Sequence, residues 1–315
     1  MYKLLVTAGG TGSAWHICSI AKQYFKDSIE LYVCDTNEPY LVAASTLADH
    51  FFTVPPVRDP GYRDYMYQLL ARYHIDAIIP LIPWEQEYFS NDNPDFSKLG
   101  VYSLAAKADT NRLFNDKIAL HDYCQKSDIP TIRIYEADEV VSENTYFIKA
   151  KDGFGAQGAA VKKGSDITKE DAKRFVIQEY CLDDGDLNEI TVEVFNDDGQ
   201  LHLCGRRRLE NKCGVCTKAE FVDVSKVRPY IEKMVSDYDF PYVFNVQFIR
   251  HDEQWKVMDV NLRLAAGTGL SASAGFSLIR CLLSKLLTGS IDRDMLKVDE
   301  TIKTVVRVYE EVVIR

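Results

Sequence analysis

The sequence predicts an α/β domain of Rossmann-like order followed by an α+β region built largely from antiparallel hairpins. Three observations predict it. From residue 1 to about 107, β-rich apolar runs alternate with segments whose apolar residues recur at helical spacing. Beyond Pro130 the strand-like runs instead follow one another across short polar turns. The composition, 46% hydrophobic and 27% charged over 315 residues, is that of an ordinary globular chain long enough for more than one packed unit.

Residues 3–6, 29–33 and 76–82 read as strands, and residues 14–25 and 62–73 between them carry helical periodicity. Strand–helix–strand order of this kind implies a parallel sheet. Residues 109–127 read as one helix, with Leu113, Phe114, Ile118, Leu120, Tyr123 and Cys124 near a single stripe and Pro130 ending it. Further strands are expected at residues 146–150, 175–180, 189–196, 201–208, 242–250 and 255–261, with Asn-Asp-Asp-Gly at 196–199 as one hairpin turn. Helical spacing returns at 226–238 and 277–287, and residues 303–314 are β-rich.

The formal net charge of −10 and pI near 5.2 argue against a protein that coats nucleic acid or an anionic bilayer, since both require a large positive surface. No apolar run approaches the roughly 18 residues of a membrane helix, and the start shows no basic leader. Eight cysteines spread along a long chain suit a reduced compartment. The expected location is the cytoplasm.

Three clusters carry candidate chemistry. Gly9, Gly10 and Gly12 lie between the first strand and first helix, where backbone amides could hold a phosphate, with Asp35 some way on. Their spacing is not that of a dinucleotide fingerprint, and a tight structural turn is the equal alternative. In the second cluster Lys149 ends a strand and leads into Gly153, Gly155 and Gly158, so that the backbone can close over a polyphosphate while the ammonium reaches its oxygens. A plain hairpin turn accounts for this cluster equally well.

The third cluster is the strand pair around residues 251–254. Alternation puts Asp259, Asn261 and Arg263 on one face, and Asn245 and Gln247 on one face of the partner. A turn centred on Glu253 sets Gln247 opposite Asp259 and Asn245 opposite Asn261. A carboxylate, amides and an arginine together suit magnesium held jointly with phosphates, the arginine neutralising a transferring phosphoryl group. Cys213 and Cys216 form a lone Cys-x-x-Cys, and the six histidines show no zinc spacing. Arg206, Arg207 and Arg208 alternate across two faces of a strand, so one or two can face a site as an anion anchor.

Taken in order, these segments resemble the ATP-grasp superfamily, most nearly its carbamoyl phosphate synthase large-subunit-like branch of carboxylate–amine ligases. Asp116-Lys117 with Ser-Asp-Ile-Pro at 127–130 resembles the family's Asp-Lys helix and closing turn. Phe-Ile-Lys at 147–149 with the glycines to 158 resembles its second phosphate-binding lysine and glycine loop, and Gln-Glu-Tyr-Cys-Leu at 178–182 its hinge strand. Asn-Val-Gln at 245–247 and Asp-Val-Asn-Leu-Arg at 259–263 resemble its metal and catalytic strands, with Asp259 in place of the usual glutamate and Leu262 in place of proline.

The resemblance implies a two-lobed α+β ATP-grasp domain after a pre-ATP-grasp Rossmann-like domain, divided as 1–107, 108–184 and 185–315. It implies that ATP is bound by Lys117, Lys149, Gly153, Gly155, Gly158, Glu179, Tyr180, Cys181, Leu182 and Glu189. It implies one or two Mg2+ ions, Mn2+ serving as well, on Gln247, Asp259 and Asn261, with Arg263 and Lys149 catalytic. The expected reaction is ATP-dependent joining of a small carboxylate, such as an amino acid, to an amine through an acylphosphate, releasing ADP and phosphate. Arg206, Arg208 and Gly267 are the expected substrate contacts. Two alternatives stand beside it: a carbamoyl phosphate synthase-like subunit acting on bicarbonate, and a catalytically silent ATP-binding regulator. A homodimer is compatible with the resemblance.

Overall fold

The computed structural model describes residues 1–151, 158–181, 189–212, 214–308 and 310–314. Gly153, Gly155, Leu182 and Cys213 lie outside the described residues.

The first domain runs β1 (Tyr2–Val6), α1 (Gly12–Tyr24), β2 (Ile29–Asp35), β3 (His50–Thr53), α2 (Tyr62–Tyr73), β4 (Ala77–Ile79), α3 (Pro83–Tyr88), α4 (Pro94–Ser97) and β5 (Tyr102–Ser103). Its strands form one parallel sheet in the order β3-β2-β1-β4-β5. The sheet is covered on both faces, which is why its strands read as unbroken apolar runs. Leu4, Val6, Leu31 and Val33 pack toward α1 on one face; Leu5, Tyr32, Cys34 and Ile78 pack toward α2 on the other.

The glycine turn after β1 is a structural device. A Cβ on Gly9 would lie 2.7 Å from a Val33 methyl, and the Gly10 amide donates to Asp35 Oδ2 at 2.7 Å. Thr11 then caps α1, its hydroxyl accepting from the Ala14 amide. At the neighbouring strand end Thr7 Oγ1 donates to Glu85 at 2.5 Å, and burial pushes the Glu85 carboxyl up to about 7. The folded state therefore keeps this proton to higher pH than the unfolded chain. The associated stability is full below about pH 4.5 and is lost as pH rises through 7. Between about pH 5 and pH 8 urea unfolding should show a loss of about 2 to 3 kcal/mol from this group, removed in Glu85→Gln.

The predicted helix over 109–127 is two helices, α5 (Ala108–Asn115) and α6 (Lys117–Lys126). The break is at Asp116, which adopts an extended conformation and whose Oδ1 accepts from the Ile118 and Ala119 amides. A side chain that satisfies two orphan donors at a helix start outcompetes continuation of the helix. Both halves keep their apolar stripe on one core, through Phe114, Leu120, Tyr123 and Cys124.

Next come β6 (Ile134–Tyr135), β7 (Thr145–Ala150), β8 (Ala160–Lys163), α7 (Lys169–Arg174) and β9 (Phe175–Glu179), whose strands make an antiparallel sheet ordered β6-β9-β7-β8. The chain continues through β10 (Glu189–Asp197), β11 (Gln200–Lys212), β12 (Val215–Val222), α8 (Arg228–Asp237), β13 (Val243–His251), β14 (Gln254–Asn261), α9 (Thr268–Ser273), α10 (Leu278–Thr288) and β15 (Thr304–Val306). These strands form a second antiparallel sheet in the order β14-β13-β10-β11-β12-β15. Among the described residues of the β-rich stretch 303–314, only β15 joins it. The first domain docks on this larger sheet through a continuous core, with Ile17 and Cys18 of α1 in one cluster with Phe195, Phe276 and Leu282. The two antiparallel sheets face each other across a cleft.

Candidate active site

The β13–β14 hairpin forms the floor of the cleft. Its turn is the pair Asp252 and Glu253, both with positive φ (51° and 62°), which match the twist of a two-residue hairpin turn. The turn centre thus falls half a residue before Glu253. A one-residue bulge at Met258 restores the expected pairing, so Gln247 faces Asp259 and Asn245 faces Asn261. The bulge also frees the Met258 carbonyl, which accepts from Lys149 Nζ at 3.3 Å.

Beyond the bulge a polar chain fixes the side chains. Asn245 Nδ2 donates to the Arg263 carbonyl at 2.9 Å, and Asn261 Nδ2 to Asn245 Oδ1 at 3.3 Å. Arg263 Nη2 donates to Asn261 Oδ1 at 3.3 Å. Burial lowers the Arg263 pKa against the raising pull of Asp259.

From across the cleft Lys149, at the end of β7, places Nζ 3.3 Å from Asp259 Oδ1. Lys117, at the first position of α6, donates to the Lys151 carbonyl at 3.4 Å and lines the same space. Lys149 from the smaller sheet and Lys117 from α6, a helix that shares its core with the larger sheet, therefore border a carboxylate, three amides and a guanidinium on the larger sheet. The cleft measures about 1060 Å3, and Tyr180, Cys181, Glu179 and Glu189 also line it. At the hinge end Lys256 Nζ holds Glu179 Oε2 at 2.8 Å.

The arginine run on β11 alternates as its strand geometry requires. Arg206 and Arg208 line the cleft, whereas Arg207 pairs outside it with Glu220 at 3.7 Å. Arg208 is committed to protein partners: it is hydrogen-bonded to Glu189, to Asn211 Oδ1 at 2.9 Å and to the Gly214 carbonyl at 3.0 Å. Burial raises the Glu189 pKa, and Arg208 opposes that shift.

Arg206 differs. It is 1% exposed, ion-paired with Glu193 at 3.4 Å, yet its Nε and Nη2 make no hydrogen bond among the described residues. Glu193 is itself held by the hydroxyls of Thr268 and Ser271 on α9. Gly267 packs against the guanidinium, and a Cβ there would lie 2.2 Å from Arg206 Nη1. The fixing role of Thr268 and Ser271 was not apparent in the sequence. Their three-residue spacing on a helix directly after Gly267 was the available signal. Trp84 and Arg58, which stack with the guanidinium carbon 4.1 Å from the ring centroid, also line the cleft and carried no motif. The first glycine turn, residues 8–13, does not line it.

Residues 173–311 match the family model described as ATP-grasp in the biosynthetic pathway with Ter operon, and residues 4–104 match the PylC-like N-terminal domain. The fold is an ATP-grasp fold. The biotin carboxylase domain of 2-oxoglutarate carboxylase from Hydrogenobacter thermophilus superposes with a TM-score of 0.73 at 14% identity, over 96% of this chain and 72% of that one. Carboxyaminoimidazole ribonucleotide synthase from Aspergillus clavatus gives 0.71 at 14% identity, over 94% and 79%. L-amino acid ligase from Bacillus licheniformis gives 0.70 at 12% identity, over 95% and 78%. The sequence matches no curated protein. Among the described residues, no helix is long and apolar enough to cross a membrane.

Proposed function

We propose that the chain is an ATP-dependent carboxylate–amine ligase of the ATP-grasp type, using Mg2+. The reading is carried by one observation: Lys149 already sits as a cation on Asp259, at the meeting point of the two sheets. Asp259, Asn261 and Gln247 supply the hard oxygen donors that suit Mg2+ or Mn2+, so the residues fit the metal. Bound there, the ion would neutralise phosphate charge during transfer. Solved relatives of the fold are complexed with MgADP or with ATP, which supports the same ligand here.

In this reading Lys117 and Lys149 hold the phosphates from one side, and Arg263, oriented by Asn261, faces the transferring group from the other. Glu179, Tyr180 and Cys181 at the hinge border the base, and Glu189 takes the ribose hydroxyls. Such positioning and charge neutralisation supply most of what phosphoryl transfer requires. A substrate carboxylate oxygen attacks the γ-phosphorus and ADP leaves. An amine then displaces phosphate from the acylphosphate, losing one proton as the amide forms.

Arg206 is the favoured anchor for the substrate carboxylate, because it borders the cleft, its Nε makes no hydrogen bond among the described residues, and its Nη2 meets the Glu193 carboxylate only as an ion pair at 3.4 Å. Arg208, engaged by Glu189, Asn211 and Gly214, serves to set the position of Glu189. The test is an ADP-release screen over pairs of amino acids and related carboxylates, with Asn261→Ala as control. Pair-dependent ADP release that is lost in the control is expected. Release stimulated by bicarbonate alone would instead favour the carbamoyl phosphate synthase-like alternative, and ATP binding with no release for any carboxylate would favour a silent regulator.

A further inference from the structure

A second set of donors lies at the hinge, outside the magnesium hairpin. Cys181 Sγ is 3.8 Å from Glu179 Oε2, and His251 Nε2 is 3.5 Å from Glu179 Oε1. All three ligand atoms lie within 4.8 Å of one another. Two ligands on a tetrahedral zinc ion stand about 3.3–3.6 Å apart, given Zn–N and Zn–O bonds near 2.0–2.1 Å and Zn–S near 2.3 Å. The two separations run to the two oxygens of one carboxylate and are near that range, and with a single oxygen as ligand all three atoms remain within 4.8 Å, so small side-chain rotations would bring them onto a shared ion. A further carboxylate oxygen, Asp252 Oδ2, lies 3.5 Å from the same imidazole nitrogen.

The donor types differ from those on the Asp259 hairpin. A thiolate with an imidazole selects borderline-soft cations such as Zn2+ over Mg2+, which takes oxygen donors. The site is also largely shielded: Cys181 is 6% exposed, and the His251 and Glu179 side chains are 13% and 21% exposed. We propose that Glu179, Cys181 and His251 form a binding site for a zinc-class divalent cation, distinct from the magnesium site. Glu179 ends β9 of the smaller sheet, Cys181 follows it, and His251 ends β13 of the larger sheet. An ion held by all three would pin the two sheets together at the hinge of the cleft. On the proposed function, that pin would stand where the base binds and would oppose ATP.

Lys256 supplies an internal check. Its ammonium lies 2.8 Å from Glu179 Oε2 and competes with any cation for that carboxylate.

The test is a titration of the reduced, full-length chain with Co2+, followed by its absorption spectrum, and by displacement with Zn2+. A thiolate-to-cobalt charge-transfer band that saturates at one ion per chain is expected, any ion on the Asp259 hairpin adding none to it. The band should vanish in Cys181→Ser and persist in Cys216→Ser. His251→Ala should weaken binding by roughly a hundredfold, and Lys256→Met should strengthen it by roughly tenfold, a gain that misfolding cannot imitate. Absence of the band, its survival in Cys181→Ser, or affinity indifferent to both His251→Ala and Lys256→Met would overturn the site. Zn2+ raising the ATP KM of wild type but not of Cys181→Ser would extend it to regulation. That arm rests on the proposed function, whereas the cobalt titration does not.

Discussion

Asp259→Asn should lower ADP release by roughly 10²–10³-fold, the usual consequence of deleting one preorganised charge at a transferring group. Stability should fall by no more than about 1–2 kcal/mol, since Lys149, 11% exposed, loses its carboxylate but keeps the Met258 carbonyl. The amide keeps the shape of the carboxylate, and the ion pair it breaks with Lys149 is long and, on the Asp259 side, 37% exposed. What it removes is the charge that balances Lys149 and attracts a divalent ion. The Coulombic contribution of Asp259 to the raised Glu189 pKa also disappears, so Glu189 should titrate lower in this variant. Steady-state ADP release beside a thermal melt separates the two effects. Wild-type turnover in a folded Asp259→Asn protein would exclude the hairpin from the chemistry.

Arg206 and Gly267 give the second large effect, split between stability and recognition. Arg206→Ala leaves Glu193, 1% exposed, without its cationic partner in the protein interior. Loss of one member of such a pair costs about 3–5 kcal/mol, readable as a lowered urea midpoint. Because that variant is at risk of unfolding, Gly267→Ala is the cleaner probe. Its new methyl would fall 2.2 Å from Arg206 Nη1 and force the guanidinium off its present position without deleting its charge. The KM for the carboxylate substrate should rise at least about tenfold, with the ATP KM little altered. A Gly267→Ala enzyme with unchanged carboxylate KM would remove Arg206 from the substrate site.

Much of this arrangement was legible before any coordinates. The two-residue alternation of strands put Asp259, Asn261 and Arg263 on one face and separated Arg207 from its neighbours, because that periodicity is a property of the backbone itself. The pairing of Gln247 with Asp259 was foreseen from a turn placed half a residue late, and it held because the Met258 bulge offset the error. A bulge has no reliable mark in sequence; here neither glycine nor proline announces it. The break at Asp116 was equally hidden. An aspartate inside an amphipathic stripe reads as a helix residue until its side chain is seen to take the next helix's amides. Strands β8 and β12 were passed over because they are short or sit beside polar turns, and sheet pairing rather than local pattern defines them. The different fates of Arg206 and Arg208 depend on Glu189, Glu193, Asn211 and Gly214, which meet them only after folding.

The most direct measurement is a crystal structure of the chain with a non-hydrolysable ATP analogue and Mg2+. The account predicts triphosphate density between Lys117 and Lys149 on one side and Asp259, Asn261 and Arg263 on the other, with the ion on Asp259 and the base against Glu179 to Cys181. Nucleotide density outside this cleft, or an ion bound with Asp259 and Asn261 both turned from it, would contradict it.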